Sequence, residues 1–289
     1  MPHQIYNCDL CGKDDAAEIP SSRFYTNDQP IHVCRSCGFV YVRSRRSIDE
    51  IAKAWSDELF QNTYTARQPQ MAARQSFVTE FIASSIGFDG KSLVDIGAGE
   101  GQFFEIINRF GHTPKQMLGI EPASQNCAMM EEQGFSSFQG TIEDYLAVNT
   151  VSQNRFDIAT IMWTLENTQD CIGMLKGAFN MLEDNGHIVV STGSRILVPF
   201  KKPLHLYFTS VPADTCNFRF SANCLRGALE DCGFIVEFEN RWIDNDFLVM
   251  IGRKGELKAT PRRKRDDYKK VLNFFQRWHE DTEAHYNDT

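Results

Sequence analysis

The run Asp95-Ile96-Gly97-Ala98-Gly99-Glu100-Gly101 sets a carboxylate just ahead of a turn with three glycines in five residues. A backbone without Cβ atoms turns tightly and can come within contact distance of a ligand. The next apolar run ends at Glu121, whose carboxylate can accept hydrogen bonds from both hydroxyls of a ribose. Together the two features suit an adenosine-containing ligand. A nicotinamide dinucleotide would call for G-x-G-x-x-G and would rest its pyrophosphate on the helix N-terminus. Here the third glycine comes one residue early, and Asp95 would repel a pyrophosphate.

A cationic ligand suits that acid. S-adenosylmethionine has no phosphate and carries an ammonium and a sulfonium. With its acid-x-Gly-x-Gly-x-Gly loop the chain resembles the class I S-adenosylmethionine-dependent methyltransferases. That resemblance implies a cofactor site in which Asp95, Gly97, Ala98, Gly99 and Gly101 hold the methionine part and Glu121 takes the ribose. It also implies that Ile142 and Glu143 cover the adenine, and that Trp163, opening the stretch to Asn167, lines the methyl-donating side.

A second constellation is metal-ligating. Cys8-x-x-Cys11 and Cys34-x-x-Cys37 are separated by 22 residues, and Gly12 and Gly38 follow the pairs directly. Two residues between thiols let both sulfurs converge on one tetrahedral Zn²⁺, at about 2.3 Å from the metal. Cys8, Cys11, Cys34 and Cys37 are therefore expected to hold a structural zinc in a ribbon. Nine cysteines are present; Cys127, Cys171, Cys216, Cys224 and Cys232 read as buried small hydrophobes.

The elements that must position these groups follow from periodicity. Residues 1–46 form the ribbon and 47–90 a largely helical linker, with an apolar stripe of Phe77, Phe81, Ile82 and Ile86. Over 91–255 strands alternate with helices: strands at 92–96, 116–120, 136–139, 157–163 and 186–192, then a pair at 234–240 and 247–253. Helices are expected at 102–109, 124–133, 171–182 and 222–232, the last capped by Ser221. The fold class is α/β: a Rossmann-like sheet, mostly parallel with an antiparallel last strand pair, carrying an N-terminal zinc ribbon. Residues 256–289 form a basic amphipathic C-terminal helix with Tyr268, Val271, Leu272, Phe275 and Trp278 on one face. Such a stripe packs on its own domain or on a second subunit in a homodimer.

At 289 residues the chain has ample core, and a net charge of −8 argues against broad contact with a nucleic-acid backbone. Nine Lys or Arg lie between Arg253 and Lys270 against three acids, which reads as a solvated basic face. No apolar run approaches the roughly 18 residues of a membrane span, and no signal-peptide pattern opens the chain. A cytoplasmic location is the expectation.

Methyl transfer to a hydroxyl or carbon acid also needs a base near the acceptor's proton. In the segment 203–210, His205 is the candidate, with Tyr207 beside it. Apolar neighbours would keep the imidazole a neutral acceptor. The cysteine quartet, the Asp95 loop and His205-Leu206-x-Phe208 resemble the zinc-binding sugar methyltransferases, including C-methyltransferases of nucleotide-linked deoxyketosugars, over nearly the whole chain to about residue 255. The acceptor that resemblance implies is a sugar or nucleotide-linked sugar. Leu204 stands where that family has a glutamate, and Asn167 where it often has a histidine after Leu-Glu. C-, O- and N-methylation therefore stay open. The alternatives are an RNA-modifying methyltransferase, in which the ribbon contacts nucleic acid, and a non-catalytic cofactor-binding protein.

Overall fold

The computed structural model describes residues 3–47, 50, 69–149, 155–200, 202–208, 213–240, 247–256 and 266–286. The ribbon opens the chain with β1 (Gln4–Ile5), β2 (Ala16–Glu18), the one-turn α1 (Ser22–Tyr25), β3 (Ile31–Cys34), β4 (Val40–Val42) and β5 (Ser44–Arg45). α2 (Pro69–Ser85) is the described part of the expected linker helix; residues 51–68 lie outside the described residues. Val78 and Ile82 of α2 are buried, with Phe77, Phe81 and Ile86 packed beside them.

Alternation then follows as β6 (Ser92–Ile96), α3 (Gln102–Arg109), β7 (Gln116–Glu121), α4 (Ser124–Glu132), β8 (Ser136–Gln139), α5 (Ile142–Val148), β9 (Phe156–Met162), α6 (Cys171–Met181) and β10 (Leu182–Thr192). After β10 come α7 (Leu204–Tyr207), a 3₁₀ turn at Ala213–Thr215, β11 (Phe218–Arg219), α8 (Ala222–Asp231), β12 (Phe234–Glu239), β13 (Leu248–Lys254) and α9 (Tyr268–Tyr286). The seven-stranded sheet runs β12-β13-β10-β9-β6-β7-β8. β6 through β10 pair in parallel, and β13 runs antiparallel to both β10 and β12.

Parallel strands need both faces covered, so their sequences are nearly continuous apolar runs. Alternate residues enter different clusters: Val94, Ile96, Ala159, Ile161, Ile188 and Val190 on one face, Leu93, Ile158, Met162 and Val189 on the other. The result is a three-layer α/β core whose strand ends lie beside one another at the glycine turn.

β11 was not expected from the sequence. It pairs antiparallel with β4, so a strand from within the 91–255 stretch completes the ribbon sheet β11-β4-β3-β2. One face of that sheet (Phe39, Tyr41) joins the methyltransferase-side core. The other (Ile31, Val33, Val40, Val42) packs with Leu204, Phe208, Val271, Phe275 and Trp278. The apolar stripe of α9 is thus consumed by its own chain. Residues 257–265, the centre of the basic run, lie outside the described residues. A second departure is α5, which is not among the helices expected from periodicity. Thr141 and Asp144 form a reciprocal capping box that starts it. No described helix is long and apolar enough to cross a membrane.

Candidate functional site

The three glycines at the end of β6 all take positive φ: 76° at Gly97, 56° at Gly99 and 80° at Gly101, the residue that opens α3. A Cβ at Gly97 would collide with the Thr164 side chain and one at Gly101 with Met130, whereas one at Gly99 would meet nothing within 4 Å. The first and third glycines therefore let elements pack, and the second faces open space where a ligand can approach. Gly97 and Ala98 donate to the Ile120 carbonyl, which binds the turn to β7.

Glu121 ends β7 with its side chain buried. One carboxylate oxygen accepts the Gly99 N–H at 2.9 Å and the other the Ala123 N–H at 3.1 Å. Each oxygen keeps a further lone pair, enough for two hydroxyls of a ribose. Burial raises the carboxyl above its ordinary range. Asp95 is buried in β6 and accepts the Thr160 hydroxyl at 2.6 Å. Burial, helped by the charge of Glu121, pushes its pKa up to about 7. An approaching cation would favour its ionised form.

The other expected site residues separate. Ile142 is buried against Gly177 of α6, and Glu143 is an exposed first-turn acid of α5. Trp163 stands at the end of β9, one residue from Thr164, whose hydroxyl lies 3.5 Å from the Gly97 carbonyl oxygen. His205 is exposed on α7 and does not have the apolar surroundings expected of it. Tyr207 turns inward, donates to the Ser194 carbonyl at 3.0 Å and packs on Trp278 with ring centroids 4.7 Å apart. Burial holds its phenol protonated well above the usual range.

Sequence reasoning gave no role to Glu166, although it named the stretch that contains it. The side chain is buried beside Trp163, and one oxygen accepts the Gly193 N–H at 2.9 Å. Burial raises its pKa to about 7. An acid four residues past the end of β9, at the expected C-terminal edge of the sheet, was the available signal. A groove of about 560 Å³ between Leu197–Phe200 and the Lys270–Arg277 face of α9 contains none of these groups.

The four cysteines do converge. Their sulfurs all lie within 4.8 Å of one another, with Cys8–Cys37 and Cys11–Cys34 at 3.5 Å. Those separations are far too long for disulfides and approach the edge, roughly 3.8 Å, of a tetrahedron with 2.3 Å spokes. Gly12 and Gly38 both have φ +73° and donate back to the carbonyls of Cys8 and Cys34. Each pair is thus a closed knuckle.

A family model described as a methyltransferase domain matches residues 66–237, more than half of the chain. The chain belongs to that family. This methyltransferase is 28% identical to the ubiquinone biosynthesis O-methyltransferase of Azorhizobium caulinodans over 141 residues, covering 44% of the chain and 53% of that protein. It is 31% identical to the enzyme of the same name from Actinobacillus pleuropneumoniae over 115 residues, covering 38% and 49%. The methyltransferase thus spans about half the length of the curated relatives it matches. In structure it resembles magnesium protoporphyrin IX methyltransferase from Synechocystis, solved with bound SAH. That match has a TM-score of 0.51 at 10% identity and covers 72% of this chain and all of the other.

These relatives correct the sugar or nucleotide-sugar acceptor, since the named O-methyltransferases belong to ubiquinone biosynthesis. The physical reason lies in the segment 204–208, on which the sugar resemblance leaned. Leu204 and Phe208 are buried in the cluster between ribbon and α9, and His205 faces solvent.

Proposed function

We propose that the protein is an S-adenosylmethionine-dependent O-methyltransferase whose acceptor is a hydroxyl on an aromatic small molecule of the quinone-precursor type. The observation that carries the cofactor is the Gly99–Glu121 bond, which leaves an acid, a bare backbone and an open space at the place where a ribose and methionine would lie. The buried Asp95 supports a cationic ligand over a pyrophosphate. The acceptor class draws on the relatives' name and on an aromatic wall: Trp163 and Phe247 meet edge to face at 5.6 Å, and Phe77 meets Phe247 likewise at 5.4 Å. When bound, the cofactor supplies an activated methyl on a leaving group that departs neutral. The protein's own work is to align, exclude water and accept a proton.

The four-cysteine ribbon is proposed to hold a structural zinc, because four closed thiolate ligands leave no open coordination position. Cys8, Cys11, Cys34 and Cys37 would hold it.

Incubation with methyl-labelled S-adenosylmethionine and a panel of catechols and hydroxybenzoates tests the reading. Label on an aromatic ether oxygen is expected. Tight cofactor binding without transfer to any hydroxylated ring would overturn the acceptor assignment.

A further inference from the structure

Trp163 has φ +55°, a conformation that a bulky side chain rarely takes. Both its backbone groups hold it there: its N–H donates to the Ser191 carbonyl at 2.7 Å, and its carbonyl accepts from the Asn167 side chain at 2.9 Å. Strain maintained in this way recurs at ligand sites. Its effect here is to lay the indole over Gly193, where a Cβ would come 3.2 Å from the ring. That same point lies within 4 Å of both Trp163 Nε1 and Glu166 Oε1. The indole N–H and the Glu166 carboxylate therefore share one small region beside the end of β10.

Each is also incomplete. Trp163 Nε1 and Glu166 Oε2 are buried, and among the described residues neither has a hydrogen-bond partner. One is a donor and the other an acceptor, and buried polar groups are seldom left unmet. A hydroxyl satisfies both at once, because its oxygen accepts while its proton donates. The location fits the chemistry, since Thr164 between them touches the glycine turn. The turn 164–167 is closed by the Asn167 N–H on the Thr164 carbonyl at 2.9 Å, which fixes the spacing of the two groups.

We propose that Trp163 and Glu166 form the acceptor station of this enzyme: the indole N–H holds the oxygen to be methylated, and the Glu166 carboxylate takes its proton. This rests on the reading of the protein as a methyltransferase of aromatic hydroxyls. An oxygen lone pair forms the new O–C bond, the S–C bonding pair returns to sulfur, and the hydroxyl proton ends on Glu166 Oε2. Charge is conserved: the sulfonium and the carboxylate are both neutral afterwards. The charge that bears on Glu166 is that of Arg74 of α2, which lowers its pKa. Tyr207 and Cys216, from the following segment, stay neutral and are themselves pushed up by the Glu166 carboxylate. The Gly193 N–H and the Thr192 hydroxyl favour its ionised form.

The experiment uses full-length Glu166→Gln and Trp163→Phe with catechol as acceptor. Calorimetry measures SAH affinity, then catechol affinity for the SAH complex; steady-state kinetics follow. Expected for Glu166→Gln is SAH affinity within about twofold of wild type and kcat lowered about 10²-fold or more, with the acid limb of the pH profile lost. Expected for Trp163→Phe is catechol binding weakened about tenfold, with a larger effect on KM than on kcat. Wild-type catechol affinity and turnover in both variants would overturn the proposal. So would a Glu166→Gln protein whose SAH affinity and melting temperature fall together with kcat, since the carboxylate would then be structural. If Glu166→Gln does not fold, Glu166→Asp retains the charge and must still lower kcat more than SAH affinity. A wild-type protein that binds SAH but neither binds nor methylates catechol refutes the acceptor reading before any variant is made, and this inference with it.

Discussion

Glu121 accepts the backbone N–H of Gly99 at 2.9 Å, so the acid that ends β7 also fixes the turn that follows β6. Its other oxygen holds Ala123 at the start of α4. One carboxylate therefore shapes the loop and is left with lone pairs directed at the same cleft. Glu121→Ala removes charge-assisted bonds that are each worth about 1.5–3 kcal/mol when intact. S-adenosylmethionine affinity is expected to fall about 10²-fold by calorimetry, with the sheet still folded by circular dichroism. Unchanged affinity would dissociate Glu121 from the cofactor.

The packing and ligand-facing roles within the glycine turn separate by substitution. Gly99→Ala places its methyl in open space at φ 56°, so it costs roughly 1–2 kcal/mol of backbone strain and blocks the ligand's side of the turn. Gly97→Ala adds a collision with Thr164 to the same strain and displaces the end of β9. Thermal denaturation is expected to show a larger loss for Gly97→Ala than for Gly99→Ala. Both variants should bind the cofactor at least tenfold more weakly. Equal melting temperatures would contradict the packing role assigned to Gly97.

Asp95 and Glu166 both have carboxyls raised to about 7 by burial. Between the unfolded and folded pKa such a group binds more protons when folded, so stability falls as pH rises from about 4 to 7. The surface carboxyls of Glu18 and Asp89, held down by hydrogen bonds, act oppositely below the ordinary carboxylate range. His32 and His187, pushed down by burial, oppose the fall just below pH 6.5, while the buried Asp9 and Glu121 add to it. The ligand-free protein is therefore expected to melt at a lower temperature at pH 8 than at pH 5. Over the two pH units from 5 to 7, at about 1.4 kcal/mol each, each buried group accounts for at most about 3 kcal/mol of that loss. A cationic cofactor binds best to ionised Asp95, so its stabilising shift should be larger at pH 8. Asp95→Asn should flatten both trends in scanning fluorimetry; a wild-type slope in that variant would remove Asp95 as their source.

The glycine turn, the cysteine quartet and most element bounds were legible because each depends on local chemistry. Three glycines dictate a turn, CxxC dictates a knuckle, and α3 and β8 follow their apolar patterns residue for residue. What stayed hidden depends on contacts distant in sequence. Phe218–Arg219 is too short to read as a strand and becomes one only by pairing with β4. His205 has the right chemistry and an apolar neighbourhood in sequence, but a single helical turn points Leu204 inward and leaves His205 exposed. Glu166 stands out only through the burial around it and the Gly193 N–H it accepts, both set by residues distant in sequence.

The ribbon holds the turn that carries Glu166 from two sides. Arg45 is fully buried between Tyr6 at 4.1 Å and Phe218 at 5.1 Å, pairs with both oxygens of Asp9, and donates to the Gln169 carbonyl at 3.2 Å. Gln169 returns a bond to the Arg46 carbonyl at 3.0 Å, and the Phe218 N–H binds the Glu166 carbonyl at 3.0 Å. Arg45→Ala leaves Asp9 buried without its cation, a loss of about 3–5 kcal/mol. A fall of roughly 10 °C in melting temperature is expected for a domain of this size. None of these contacts touches the glycine turn or Glu121. Arg45→Ala, or removal of the proposed zinc by a chelator, should therefore reduce acceptor turnover about tenfold while SAH affinity stays within about threefold, because 1.4 kcal/mol of misplacement at Glu166 suffices for the former. If SAH affinity instead declined in step with turnover, the ribbon would be supporting the whole sheet and not the acceptor turn.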